Sequence, residues 1–253
     1  MSLLFTEGVS KVYDGREIIR DISIHLNQGE LVSLLGLSGS GKTTLLNILS
    51  GLVRPERGQV VLSGENITGK PGRISYMLQK DLLLEHKRVI DNLSLPLVIR
   101  GMKKKDARNQ AKPYFPVFGL EGTEMMYPAQ LSGGMKQRAA LLRTYLGSDQ
   151  GIVLLDEPFS ALKMITKGQM HGWYQQVMRE MKLSTLLITH DVDEAVLLSD
   201  RIYLLTGAPG EIHHEIQVTQ PQAERKDFEL TSTFLAYKQQ IMLALEGKAC
   251  QDV

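Results

Sequence analysis

Short apolar runs alternating with helical patterns set the architecture of this chain. Candidate strands fall at residues 9–13, 22–26, 31–35, 59–63, 73–78, 152–155, 185–189 and 201–205. The run at 31–35 is apolar except for Ser33, as suits a parallel strand buried on both faces. Residues 42–50 follow with Leu45, Leu46 and Leu49 at helical spacing. Such alternation predicts an α/β fold with a sheet covered on both sides. Residues 81–147 break the rhythm: polar, helical in pattern and punctuated by Pro96, Pro113, Pro116 and Pro128, they read as a helical insertion in the core. Toward the end, Phe234, Tyr237, Ile241 and Leu245 keep helical spacing, with Lys238 as a polar interruption. That pattern predicts a helix packed on its own domain or on a partner subunit.

Composition narrows this picture. A chain of 253 residues with 43% hydrophobic side chains can bury a large core. Basic and acidic residues number 29 and 28, for a net charge of +1, so there is no overall field to attract nucleic acid. Lys103-Lys104-Lys105 is the one local basic cluster of note and reads as a solvated helix start. The lone Cys250 excludes an internal disulfide and fits a reducing compartment. No stretch approaches the roughly 20 apolar residues of a membrane helix, and no basic segment followed by an apolar one opens the chain. The expectation is a protein soluble by itself, whose membrane role, if any, comes through a partner. His213-His214 suits a surface strand rather than a metal site, because neighbouring strand residues face opposite ways.

Chemistry enters with Gly36-Leu37-Ser38-Gly39-Ser40-Gly41-Lys42-Thr43, which fits G-x-x-x-x-G-K-[ST]. A strand, a glycine-rich turn and a helix N-terminus here converge on one anion site. The glycines let the backbone turn tightly and approach phosphates, Lys42 can reach the β and γ oxygens, and Thr43 offers a hydroxyl to Mg²⁺. No G-x-G-x-x-G occurs, so a Rossmann reading fails.

Further on, the apolar run at 152–155 ends in Asp156 and Glu157, placing two carboxylates at the edge where open α/β sheets bind ligands. Asp156 is expected to hold Mg²⁺ directly or through water, and Glu157 to act on the attacking water as general base or orienter. His190 likewise ends an apolar strand, where it can donate to a γ-phosphate oxygen or to the water. Asp191 reads as the N-cap of the next helix, with Glu194 reaching back. Ser132-Gly133-Gly134 opens another helix, so a hydroxyl and several unpaired N–H groups form a second anion-binding end.

Together these motifs resemble the ATP-binding-cassette (ABC) ATPases that power membrane transporters; six match in order between residues 9 and 205. The resemblance implies a P-loop NTPase core with a mostly parallel sheet, an N-terminal antiparallel β subdomain and an inserted α-helical subdomain. Core segments are expected at 1–80 and 148–210, the helical subdomain at 81–147, and a C-terminal strand and helix at 211–253. It also implies that Tyr13 stacks on adenine, that Gly36, Ser38, Gly39, Ser40, Gly41, Lys42, Thr43 and Thr44 hold the nucleotide, and that Gln79 reaches Mg²⁺ and water. Leu131 to Met135 corresponds to the family signature. Its Ser132, Gly133 and Gly134 are implied to bind ATP held by a second subunit, so that two chains pair head to tail. Residues 92–97 would help form the groove that meets an integral membrane permease, at the cytoplasmic face of the plasma (inner) membrane. A solute-binding protein outside the cell would be an indirect partner, and no nucleic acid is involved.

Within the family, Met135 and the segments 157–162 and 189–195 are similar to the nitrate, sulfonate and taurine importer group, which includes thiamine-precursor relatives. The alternative is a non-transport or export-type member, such as a regulator or a lipid or lipoprotein system subunit. Leu37 replaces a frequent proline at a position that lends backbone only. Lys163 stands where the family usually has an aspartate that crosses the dimer interface, which implies weaker coupling between the two sites or a compensating acid opposite. Lys163→Asp is therefore expected to change ATPase rate and transport together; rates indistinguishable from the parent chain would overturn the interface assignment.

Overall fold

The apolar run at 31–35 lies between two parallel neighbours in the computed structural model, which describes residues 2–160, 164–222, 225 and 227–247. Lys163 and Cys250 lie outside the described residues. The chain divides into two units, Met1–Arg73 with Leu183–Val253, and Ile74–Lys182. Elements are numbered along the chain.

In the first unit, β1 (Ser2–Tyr13), β2 (Arg16–Ile22), β3 (His25–Asn27), β5 (Arg57–Leu62) and β6 (Glu65–Asn66) make an antiparallel sheet in the order β2-β1-β5-β6, with β3 also on β1. The strand expected at 22–26 is two strands. Asp21 takes a left-handed φ of 48°, and Thr6 bridges the break by donating its hydroxyl to Ile22 O at 3.0 Å and accepting Ile24 N–H at 3.0 Å. The chain thereby passes from one stretch of β1 to another, with Ile22 opposite Val9 and Leu26 opposite Leu4.

A second sheet in this unit holds β4 (Leu31–Leu35), β9 (Ser184–Thr189) and β10 (Arg201–Thr206) in parallel, with β11 (Glu211–Gln217) antiparallel on β10. All five β4 residues are buried, as a strand covered on both faces requires. α1 (Lys42–Leu49) follows β4, and α8 (Val192–Leu198) follows β9. The C-terminal helix α9 (Ser232–Leu245) is capped by Thr231, whose hydroxyl accepts Phe234 N–H. Phe234, Ile241 and Ala244 pack with Leu35, Val196, Ile202, Leu204 and Ile216, so the helix packs on its own domain. His213 is exposed and His214 half-buried on β11, in line with a surface strand.

The second unit contains β7 (Ser75–Met77) and β8 (Ile152–Asp156), paired in parallel, and the helices α2 (Val89–Leu93), α3 (Leu95–Ile99), α4 (Lys104–Ala111), α5 (Tyr114–Val117), α6 (Gly133–Leu146) and α7 (Met164–Met181). Lys103, Lys104 and Lys105 are exposed at the start of α4. α4 is tied to α2 by Arg108, which donates two hydrogen bonds to Asp91 at 2.9 and 2.8 Å, with Lys104 adding an ion pair at 3.2 Å. Among the described residues, no helix is long and apolar enough to cross a membrane.

Burial works to raise the Asp91 carboxyl, but hydrogen bonds from Arg108 and Lys104 outweigh it and hold its pKa below the ordinary range. A depressed folded-state pKa stabilises above the unfolded-state value, near 4, and that stabilisation is lost as pH falls through the folded one. Asp91→Asn is expected to cost about 1 kcal/mol at neutral pH, since Arg108 is partly solvated. In urea denaturation the penalty should shrink toward zero below about pH 4; a penalty independent of pH would refute the ion-pair account.

Candidate active site

Phosphate-loop geometry follows from steric room that only glycine leaves. A Cβ on Gly36 would lie 2.4 Å from Leu205 O, and one on Gly41 would lie 2.4 Å from Ile19 Cγ2. Gly210 is closer still, with Ser40 O at 2.0 Å from its would-be Cβ. Gly39 and Gly41 also have φ of 82° and 98°, in the left-handed region. Gly41 caps α1, so the first N–H groups of that helix open onto the loop. Lys42 is buried and folds back over the loop, its Nζ donating to Gly36 O at 2.7 Å and Leu37 O at 2.8 Å. Ser38, Gly39 and Thr43 are exposed, and Thr44 is half-buried. The Ser40 hydroxyl is buried and has no hydrogen-bond partner among the described residues. A backbone cradle with an ammonium, a helix N-terminus and an unpaired buried hydroxyl fits a chain of phosphates.

His190 reaches the same sheet edge. Thr189, the last residue of β9, is opposite Leu35, the last of β4, so the exposed histidine emerges beside the start of the loop. Its backbone is held on the far side: Asp191 N–H donates to Thr189 Oγ1 at 3.0 Å, and the Thr189 hydroxyl donates to Glu194 Oε2 at 2.6 Å. Asp191 is the N-cap of α8, accepting Glu194 N–H at 3.1 Å. Tyr13 ends β1 as an exposed ring with Lys11 Nζ 5.0 Å from its centroid. In the adjacent strand β2, Ile19 is the residue that abuts Gly41.

The carboxylates are in the second unit. Four buried residues of β8 deliver Asp156 to the strand end, and Glu157 then adopts a left-handed φ of 47°. This turn is braced by Ser160, whose N–H and O–H both donate to Glu157 O, at 3.2 and 2.9 Å. Gln79 Nε2 donates to Glu157 Oε2 and Ser160 Oγ, both at 3.3 Å, so the sequence-predicted pair Gln79 and Glu157 meet. Asp156 accepts a hydrogen bond from a residue that motif reading passed over, Tyr76, at 3.2 Å. Burial pushes the Tyr76 phenol well above its usual range and the Asp156 charge adds to this, so the phenol stays a donor.

Ser132 caps α6, its Oγ accepting Met135 N–H at 3.3 Å. The approach to it is stiffened by a 3₁₀ turn, Pro128–Gln130, in which Gln130 Oε1 accepts Tyr127 N–H at 2.8 Å. Ser132 and Gly133 are exposed and nothing lies within 4 Å of a Cβ built on Gly133, so this helix end is open to an incoming anion. Residues 92–97 contribute more to the interior than to the surface: Asn92, Leu93, Ser94 and Leu97 are buried.

A phosphate loop joining a buried parallel strand to a helix, with a carboxylate pair ending another parallel strand, defines a P-loop nucleotide hydrolase. The family model described as ABC transporter matches residues 19–160. A formylaminopyrimidine import ATP-binding protein, ThiZ, of Halalkalibacterium halodurans is 43% identical over 225 residues, 88% of this chain and 87% of that protein. The nitrate import ATP-binding protein NrtD of a Synechocystis species is 35% identical over 240 residues, 92% and 90% of the two chains. A dimeric ATP-binding cassette solved in a post-hydrolysis state with ADP and Pi superposes with a TM-score of 0.72 at 27% identity, covering 86% of this chain and all 100% of that one. The chain belongs to the ABC transporter family and is an ATP-binding, ATP-hydrolysing subunit of its import branch.

Gly41→Ala is expected to cost about 2–4 kcal/mol, because the new methyl meets both Ile19 and a backbone angle it disfavours. Gly133→Ala, with open space around it, should change stability by less than about 1 kcal/mol. Urea denaturation of the two variants side by side checks the contrast, and equal costs would contradict the steric account.

Proposed function

We propose that this chain is the motor subunit of an importer for a small solute, hydrolysing ATP as a head-to-tail pair at the cytoplasmic face of the plasma membrane. The observation that carries the reading is the Gln79, Glu157 and Ser160 cluster at the end of β8, in a chain that also holds a closed phosphate loop. The loop N–H groups and Lys42 bind the β- and γ-phosphates, and Tyr13 stacks on adenine. Thr43, Asp156 and Gln79 supply the oxygen donors that suit Mg²⁺, which when bound offsets phosphate charge. Glu157 accepts a proton from the attacking water as its oxygen bonds to the γ-phosphorus and the bond to ADP breaks. Gln79 orients that carboxylate through Oε2, while His190 donates to the γ-phosphate or the water. Ser132, Gly133 and Gly134 bind the γ-phosphate held by the second copy, through the open end of α6.

The names of the relatives support a solute in the range of formylaminopyrimidine, nitrate, sulfonate or taurine. Recognition of that solute belongs to a permease and an extracytoplasmic binding protein. Residues 81–147 act as the helical subdomain, and residues 92–97, through the half-buried Leu95 and Pro96 and with the exposed Leu82 before them, shape the face that meets the permease.

Glu157→Gln is expected to lower kcat by roughly a hundredfold or more while ATP affinity stays within a few-fold and ATP still drives dimerisation. Steady-state hydrolysis, nucleotide titration and size-exclusion chromatography read the three quantities. Full activity in this variant would overturn the assignment.

A further inference from the structure

Tyr76 occupies a position that the motifs leave unassigned. On the parallel pair β7 and β8 it lies opposite Leu154, so Tyr76, Leu154 and Asp156 share one face of the two strands, with Met77 and Leu155 on the other. Asp156 is two residues beyond Leu154, about 6–7 Å along the strand. A tyrosine leaning along the strand spans that gap, and its hydroxyl donates to Asp156 Oδ2 at 3.2 Å. Met77, next in β7, is 3% exposed and anchors the strand, so the ring has a fixed origin. Neither phenylalanine nor a short hydroxyl side chain would make this contact: one lacks the donor and the other the reach.

We propose that Tyr76 is a positioning residue for the divalent cation, acting through the orientation it imposes on the Asp156 carboxylate. The inference rests on the reading that Asp156 holds Mg²⁺. Carboxylates that bind metals depend on the hydrogen bonds that fix them, and removing such a partner typically costs ten- to a hundredfold in metal affinity.

The test uses the full chain, a non-hydrolysable ATP analogue and Mn²⁺ as the probe, with bound metal followed by electron paramagnetic resonance. Tyr76→Phe is expected to raise the Mn²⁺ concentration for half-saturation about tenfold. Nucleotide affinity in excess chelator should be unchanged, a readout that a general packing defect would move. Asp156→Asn should weaken Mn²⁺ binding at least as much, and Tyr76→Phe in that background should add little. If Asp156→Asn shifts the titration and Tyr76→Phe does not, the positioning role is wrong and the metal reading stands. If neither shifts it, the Asp156 reading fails and takes this inference with it. Lowered nucleotide affinity in chelator for Tyr76→Phe would assign the tyrosine to packing and overturn the proposal.

Discussion

Backbone crowding around the phosphate loop is the constraint on which the first unit depends. Three glycines lie where a methyl group would overlap a neighbouring atom: Gly36 against the end of β10, Gly41 against β2, and Gly210 against the loop itself at Ser40. Two different sheets therefore meet the loop, the antiparallel one through Ile19 and the parallel one through Leu205. Because these contacts are backbone to backbone or to a buried branched side chain, they leave the loop little freedom to relax. The Lys42 ammonium closes it from inside, donating to the Gly36 and Leu37 carbonyls. A loop so held presents its N–H groups without reorganisation when an anion arrives, which is what electrostatic preorganisation requires.

In the second unit the corresponding device is strain balanced by hydrogen bonding. A left-handed glutamate costs of order 1 kcal/mol or more. It persists because Pro158 and Phe159, just after it, are buried, Phe159 lying edge-on to Tyr174 at 5.6 Å, and because Ser160 donates twice to the Glu157 carbonyl. Asp156 is extended and Glu157 turned, so adjacent carboxylates meet different partners, Tyr76 for one and Gln79 for the other. Two neighbouring acids thus acquire separate environments from one change of backbone region.

Local spacing made much of this legible in the sequence. The G-x-x-x-x-G-K-[ST] spacing, the apolar run ending in Asp156 and Glu157, and the serine that opens α6 are each determined by a few neighbouring residues, and the structure forms each of them. Contacts set by pairing between distant strands were not legible. Tyr76 is 80 residues from Asp156, and only the register of β7 on β8 reveals that they share a face. The break in the strand expected at 22–26 has the same origin, since apolar pattern alone carries no record of which stretch of β1 each half pairs with. Residues 2–8 of β1 were missed because Thr6, Glu7 and Gly8 dilute the apolar signal, although Leu4 and Thr6 are buried there.

The loop after Gln79 is shaped by polar groups rather than apolar packing. Asn92, fully buried, accepts Leu84 N–H at 2.7 Å and donates to the carbonyls of Leu84, Lys87 and Arg88. Arg143 of α6 donates to the carbonyls of Asp81 and Leu82, at 2.5 and 2.8 Å. Burial lowers the Arg143 pKa, with the Asp81 charge opposing this, and the guanidinium is committed to these acceptors. Because backbone carbonyls satisfy these side chains, the apolar residues of the loop are not all needed to hold it. Leu82 is 52% exposed with a φ of 45°. A hydrogen-bonded scaffold therefore presents an apolar side chain to the outside, three residues after the glutamine that touches Glu157.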